Sequence, residues 1–286
     1  MLPNPAASTP PFGAARASGR PTSLLVASGK GGVGTSMIAA FAALAAAARG
    51  ENVLLVDASE SGGGLHHLFA IRPTAGIWSL TDTRKPVDDA LHPINDRLTL
   101  IPGGTAGGPT PPTDVDRRTA LSRLNRVMSR YQLVIFDGGS RLDSVSAITE
   151  LFDPSILLVT SADRLALAAN YALVKTVSAR RPDAMVSVIS NRHGEALAAE
   201  ACEFLVGACS HFLGRTIDVV GAVPDDPCLQ AAVGAGMTVH DALEGSPAAE
   251  AVRAMMSRFI PTWPAQSRAA AVSATSPAAP LTRRWS

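Results

Sequence analysis

The sequence predicts one α/β domain built on a mainly parallel, doubly wound sheet. Three observations predict it. Short runs of continuous apolar residues recur along the chain, the pattern of strands covered on both faces. Segments with helical spacing of apolar residues lie between them, as the crossovers of a parallel sheet require. A glycine-rich turn follows the first run and leads straight into an alanine-rich stretch, giving the order strand, tight turn, helix. The 286 residues suit a single domain of this class. We place it at 23–262, after a Pro-, Ala-, Gly- and Ser-rich lead at 1–22 and before an Ala-, Ser-, Pro- and Arg-rich tail at 263–286. Both ends read as disordered by composition.

In chain order, the predicted strands are Leu24 to Ser28, Val53 to Asp57, Leu98 to Ile101, Leu133 to Asp137, Ile156 to Thr160, Met185 to Ser190 and Ile217 to Gly221. Met37 to Ala48 is the longest apolar run. It is shorter than the ~20 residues needed to cross a bilayer, and its place after a turn suits a buried helix. Val115 to Ser129 is predicted as one helix with Val115, Leu121, Leu124 and Met128 on one face. Leu165 to Arg180 and Glu195 to Leu213 are helices of similar kind. Ser246 with Pro247 is a helix start signal, and Val252, Met255, Met256 and Phe259 follow at helical spacing. Gly103 to Thr113 reads as a mobile loop, and His66-His67 as a surface turn.

Composition narrows the function classes. A net charge of +1 argues against binding nucleic acid by bulk charge. Aromatics at 5% are too few for an interface of stacked bases. Cys202, Cys209 and Cys228 have no metal-like spacing and read as small buried thiols of a reduced, cytoplasmic protein.

The chemistry concentrates in Ser28-Gly29-Lys30-Gly31-Gly32-Val33-Gly34-Thr35-Ser36. Glycines let successive backbone N–H groups converge on one anion, and the helix that follows adds its dipole. Ser36 is placed to reach a magnesium ion bridging phosphates. Asp57 and Asp137 end two predicted strands at the same edge as this loop, where ligands of open α/β sheets bind.

This loop resembles the deviant Walker A motif, KGGxGK[ST], of the MinD/ParA superfamily of P-loop ATPases. The resemblance implies that Gly29, Lys30, Gly31, Gly32, Val33, Gly34, Thr35 and Ser36 bind ATP or ADP with Mg2+. It also implies that Lys30 reaches across a nucleotide-sandwich homodimer to the partner's phosphates. Gly31, Gly32, Gly34 and Ser36 match the motif, whereas Thr35 stands where the family has its second lysine. A charge-assisted hydrogen bond is worth about 1.5–3 kcal/mol, so this replacement weakens nucleotide binding. Asp57-Ala58-Ser59-Glu60 resembles the family's Asp-Ala-Asp segment, with Ser59 in the position of the aspartate that positions the attacking water. A serine cannot act as a carboxylate base near neutral pH, and adjacent Glu60 points elsewhere. The resemblance makes Ser36, Asp57 and Asp137 the magnesium residues and leaves Lys30, Asp57 and Asp137 as catalytic candidates. Whether the chain is an enzyme stays open.

Further along, Val159 to Asp163 with Tyr171 to Lys175 looks like the flagellar branch of the superfamily, the FlhG/FleN regulators of flagellar number. Ile189 to Arg192 resembles that branch's strand end, where an asparagine, here Asn191, binds adenine and which makes Arg192 a nucleotide-binding candidate, and Pro224 with Asp225 resembles the loop bordering the base. The branch's N-terminal activator segment has no counterpart in Met1 to Thr22. The resemblance therefore implies a bacterial nucleotide-binding switch with weak or absent hydrolysis. It would act on flagellar or other polar assembly proteins and touch the inner face of the membrane peripherally through 247–260. A non-enzymatic scaffold for pilus or polar localisation is the alternative. A ParA-type DNA partition protein ranks third, its only support being the arginines from Arg117-Arg118 to Arg130.

Overall fold

A computed structural model describes residues 21–60, 64–104 and 112–259. Residues 1–20 of the lead, the 263–286 tail and most of the 103–113 loop lie outside the described residues. The strands are β1 (Thr22–Ala27), β2 (Val53–Asp57), β3 (His92–Pro93), β4 (Leu98–Ile101), β5 (Leu133–Gly139), β6 (Ser155–Thr160), β7 (Val186–Asn191) and β8 (Asp218–Val223). They form one eight-stranded sheet in the order β3-β4-β2-β5-β1-β6-β7-β8. Every pairing is parallel except β3 with β4. The predicted α/β class and parallel sheet are therefore present, and each predicted apolar run is a strand. Thr22, assigned to the lead, opens β1. The two-residue β3 is too short to leave a hydrophobic pattern.

Continuous hydrophobicity arises because alternate side chains serve opposite layers. In β5, Leu133 and Ile135 join the core under one helical layer, while Val134 and Phe136 join the other. The first layer holds α1 (Thr35–Ala48), short α2 (Leu65–Leu68) and α9 (Pro247–Phe259). The second holds α3 (Asp114–Arg123), α4 (Asn125–Met128), α5 (Leu142–Phe152), α6 (Arg164–Arg180) and α7 (Glu195–Leu213). A further α-helix, α8 (Pro227–Gly234), follows β8. Alanine dominates α1, and its Ala39, Ala40, Ala42 and Ala43 are fully buried. Small side chains and high helix propensity let this helix lie close on the sheet. Gly50, at φ 90°, sits just past its end in the left-handed conformation that terminates helices.

Several expectations need correction. The single helix 115–129 is two, α3 and α4, meeting at Leu124. Its Leu121, Leu124 and Met128 are buried as expected, but Val115 is 72% exposed. A capping box between Thr113 and Asp116 starts α3, which puts Val115 in the first turn, facing out. His66-His67 lie in α2 rather than in a plain turn. Cys202 and Cys209 are buried, whereas Cys228 is exposed on α8. The 247–260 membrane candidate is packed on the domain through Val252, Met255 and Met256. By length and composition α7 is apolar enough to cross a membrane. One face of it packs into the second core through Ala201, Cys202, Leu205 and Cys209, and Ala198 is buried as well.

Candidate functional site

The phosphate loop sits where β1 hands over to α1, and distant residues set its shape. Gly29 donates its N–H to Asn170 Oδ1 at 2.6 Å. Asn170, fully buried on α6, donates in turn to the Val159 carbonyl. A Cβ on Gly29 would stand 2.2 Å from the Ala169 carbonyl carbon, so no larger residue fits. Gly32 and Gly34 have φ of 81° and 93°, values that favour glycine. The backbone N–H groups of Lys30, Gly31, Gly32 and Gly34 find no acceptor among the described residues. Unpaired donors converging at a helix start are what an anion requires.

Thr35 does not point into this cradle. It is buried and donates its hydroxyl to Ser28 Oγ at 2.8 Å, and Ser28 donates to the Lys30 carbonyl at 2.9 Å. The residue in the lysine's place thus fastens the loop from beneath. Lys30 pairs with Asp163 at the start of α6, with both side chains partly exposed. That partner holds the Asp163 carboxyl below its ordinary range.

Asp57 and Asp137 are register partners across β2 and β5, and both are fully buried. Asp57 accepts from the Ser59 hydroxyl at 2.8 Å, the Ser59 amide at 3.2 Å and the Leu65 amide at 3.2 Å. Asp137 Oδ1 accepts from the Gly139 amide at 3.0 Å, whereas Oδ2 is buried without a hydrogen-bond partner among the described residues. Burial first, and the neighbouring Asp57 second, raise the Asp137 carboxyl to about 7, against the pull of Ser36 and Gly139. Burial also raises Asp57, against its three hydrogen bonds. Two buried carboxyls side by side, one with an orphan oxygen, call for a cation or a shared proton. The donor set is two carboxylates and the Ser36 hydroxyl, few in number and all oxygen. It fits magnesium, which keeps waters and substrate phosphates as its other ligands.

Ser59 donates to Asp57 and packs against Gly139, where a Cβ would come within 2.9 Å of its own. Ser140 carries the β5–α5 loop beside Gly31, with Oγ 3.6 Å from where a Cβ on that glycine would stand. His66 lies within electrostatic reach of Asp57, and its buried Nδ1 lacks a partner among the described residues. Burial, then His67, hold its pKa below the ordinary value.

Glu60 turns away from this edge. Its side chain is 0% exposed and paired with Arg117, itself 7% exposed. It also takes Arg141 Nε at 3.0 Å and the Ser144 hydroxyl at 2.5 Å. Burial alone would raise its pKa, but the Arg117 and Ser144 hydrogen bonds and both guanidinium charges outweigh it and leave it lowered. This cluster ties the loops after β2 and β5 to α3. It also removes Arg117 from any basic patch. Arg118 pairs with Asp114 and Glu150, Arg123 donates to the Leu80, Asp82 and Lys85 carbonyls, and Arg130 pairs with Asp88.

On the far side of the loop, Asn191 Nδ2 donates to the Val33 carbonyl at 2.8 Å and stands 2.3 Å from where a Gly34 Cβ would be. The predicted adenine residue thus also clamps the phosphate loop. Arg192 follows with φ 67° and lays Nη1 3.4 Å from the Gly32 carbonyl. Pro224 and Asp225 follow β8, the neighbour of β7, with Asp225 exposed and accepting from Gln230. The structure therefore gathers Lys30, Ser36, Asp57, Asp137, Asn191 and Arg192 around one loop. Sequence reasoning missed Asn170 and the contacts that Ser28, Asp163 and Arg141 make. Their partners lie far along the chain or, for Ser28, depend on which way Thr35 turns.

A family model, curated proteins and solved structures match this chain. The model described as cellulose biosynthesis protein BcsQ matches residues 22–178. An uncharacterized ATP-binding protein of Methanocaldococcus jannaschii is 24% identical over 251 residues, covering 83% of this chain and 87% of that protein. The antiactivator FleN of Pseudomonas aeruginosa is 23% identical over 245 residues, covering 84% and 86%. Among solved structures, the septum site-determining protein MinD of Pyrococcus horikoshii, complexed with Mg-ADP, has a TM-score of 0.64 at 19% identity, covering 82% of this chain and 94% of that one. The fold is that of the MinD/ParA P-loop ATPases, the superfamily the loop resembles.

Proposed function

The chain belongs to the BcsQ family, and from that premise we propose that it is a nucleotide-gated switch with weak or absent ATP hydrolysis. ATP or ADP binds the Gly29–Ser36 loop with Mg2+ held by Ser36, Asp57 and Asp137. The orphaned Asp137 Oδ2 beside Asp57 carries this reading. Magnesium held there would supply positive charge to the phosphates and to the two buried carboxylates. The unpaired loop amides hold the phosphate oxygens. Asn191, Pro224 and Asp225 border the base, and Arg192 lies beside the phosphate loop.

Self-association follows from Lys30. To reach a partner's phosphates it must leave Asp163, so the lone chain rests with its lysine occupied. Turnover is limited on the opposite side. The Ser59 hydroxyl donates to Asp57 and offers no base, and Glu60 is locked by Arg117 and Arg141. The output is control of where, or in how many copies, a polar or envelope machine is built, from the cytoplasmic side of the membrane. The FleN relative supports a flagellar machine. The family description favours a second reading, a cellulose-synthesis machine served by the same switch. Internal pairing of Arg117, Arg118, Arg123 and Arg130 argues against DNA as the partner.

Calorimetric titration of ATP and ADP with magnesium, alongside light scattering, tests the switch. Micromolar binding and ATP-dependent dimers are expected, and a chain that binds neither nucleotide sinks the reading. Phosphate release separates the degenerate from the active enzyme. Wild type, Thr35→Lys and Ser59→Asp should stay near background, and the double variant should turn over. Robust wild-type turnover lost on Ser36→Ala overturns the claim of weak hydrolysis. Deleting the gene and counting flagella and cellulose output distinguishes the two machines.

A further inference from the structure

We infer that Arg192 supplies the phosphate-binding charge missing from position 35. The inference rests on the proposed nucleotide site and assigns a cation to its polyphosphate. A nucleotide's phosphates carry several negative charges, and backbone amides alone do not neutralise them. Thr35 brings no charge and is fastened beneath the loop. The cations bordering the cradle are Lys30, Arg141 and Arg192. Lys30 is held by Asp163, and Arg141 by Glu60. Arg192 has no acidic partner among the described residues. Its one side-chain hydrogen bond among the described residues is the long Nη1 bond to the Gly32 carbonyl. Its Nε lies 4.0 Å from where a Gly34 Cβ would stand. The guanidinium therefore lies across the loop between the two left-handed glycines, beside amides that have no acceptor.

The backbone around Arg192 agrees. It is one of three non-glycine residues with positive φ among the described residues, a conformation that costs energy for such a side chain. Its amide bonds to the Val223 carbonyl at 2.9 Å, and neighbouring Asn191 is pinned to Val33. These two anchors hold the strained turn and aim the side chain at the loop rather than outward along β7. A planar guanidinium suits two phosphate oxygens at once. The carbonyl contact at 3.4 Å is weak enough to be exchanged for them.

The test is calorimetry of the full chain with Mg-ATP, Mg-ADP and AMP, comparing wild type, Arg192→Gln, Arg192→Lys, Arg141→Gln, Thr35→Lys and the Thr35→Lys/Arg192→Gln double variant. Arg192→Gln should weaken ATP and ADP about tenfold or more, the size of one charge-assisted hydrogen bond, and leave AMP within about twofold. Arg192→Lys should recover part of the loss, and Thr35→Lys should rescue Arg192→Gln. Arg141→Gln should leave affinity near wild type. Unchanged ATP affinity in a folded Arg192→Gln protein overturns the inference. So does an equal loss for AMP and ATP, which would place Arg192 at the base. A wild type that binds no nucleotide defeats the proposed function and the inference together, so the two failures are distinct.

Discussion

Two buried carboxyl sites lie a few residues apart, and they differ in one respect. Glu60 is closed off among Arg117, Arg141 and Ser144, so its charge is matched inside the protein. Asp57 and Asp137 face each other with hydroxyl and amide donors but no cation, and one oxygen of Asp137 has no partner among the described residues. The first arrangement is what a structural lock needs. The second is destabilised until something positive arrives. Burial alone therefore does not mark a functional acid; the unmatched charge does.

The largest expected effect comes from breaking each site in turn. Glu60→Ala leaves Arg117 buried beside only the longer Asp114 and Asp143 contacts, at 3.9 and 3.8 Å. Breaking a buried pair from one side costs about 3–5 kcal/mol, and those remaining acids put this variant near the lower figure. Asp137→Asn works in reverse. It removes a like charge from the buried pair and should stabilise the nucleotide-free protein by on the order of 1 kcal/mol. It should also abolish the stabilisation that Mg-nucleotide gives the wild type. Urea denaturation with and without Mg-ADP reads both. If Asp137→Asn destabilises as Glu60→Ala does, the two sites are of one kind and the comparison collapses.

The contrast between these sites was half legible in the sequence. Asp57 and Asp137 could be placed because each ends an apolar run, and parallel strands in register bring such ends together. The phosphate loop could be read because glycine spacing and a strand-to-helix position are local features. Glu60 could not. Its partners lie on α3 and in the β5–α5 loop, and no periodicity encodes a pairing across that much chain. Asn170 supporting Gly29 is the same case, at a separation of 141 residues. The break at Leu124 and the exposure of Val115 were hidden because apolar spacing alone does not show where a cap begins the first turn. Thr35 was visible as a departure from the motif, but its downward bond to Ser28 needed coordinates.

A smaller effect, on the order of a few kcal/mol spread over several pH units, separates the sites by sign. Asp137 has its folded pKa raised to about 7 by burial and by Asp57, against about 3.9 when unfolded. The native state then holds a proton that the unfolded chain releases. That stability is fully present below about pH 4 and is lost as pH rises through 7. Glu60 is lowered on folding by Arg117, Ser144 and Arg141 acting against burial. Its contribution is present above about pH 4.3 and is lost as pH falls. Metal-free unfolding midpoints between pH 5 and 8.5 should decline toward alkaline pH in wild type and decline less in Asp137→Asn, where only the buried Asp57 still holds a raised pKa. A wild-type profile already flat in that range would mean the pair is not short of a cation.

The smallest effect probes the loop that the acidic pair faces. Thr35→Val keeps the shape and removes the hydroxyl that donates to Ser28 at 2.8 Å. Ser28 retains its bond to the Lys30 carbonyl, so one net hydrogen bond is lost, worth about 1 kcal/mol. Fold stability should fall by no more than that. Nucleotide affinity should fall by about fivefold or less, because the cradle amides come from the backbone and keep their number while the loop becomes less fixed. Thr35→Lys loses the same bond but gains a charge over the phosphates, so the two variants should share the stability loss and diverge in affinity. Equal affinities for the valine and lysine variants would show that a side chain at position 35 cannot turn into the cradle. The buried orientation of Thr35 would then be a fixed feature of this loop rather than a consequence of the residue standing there.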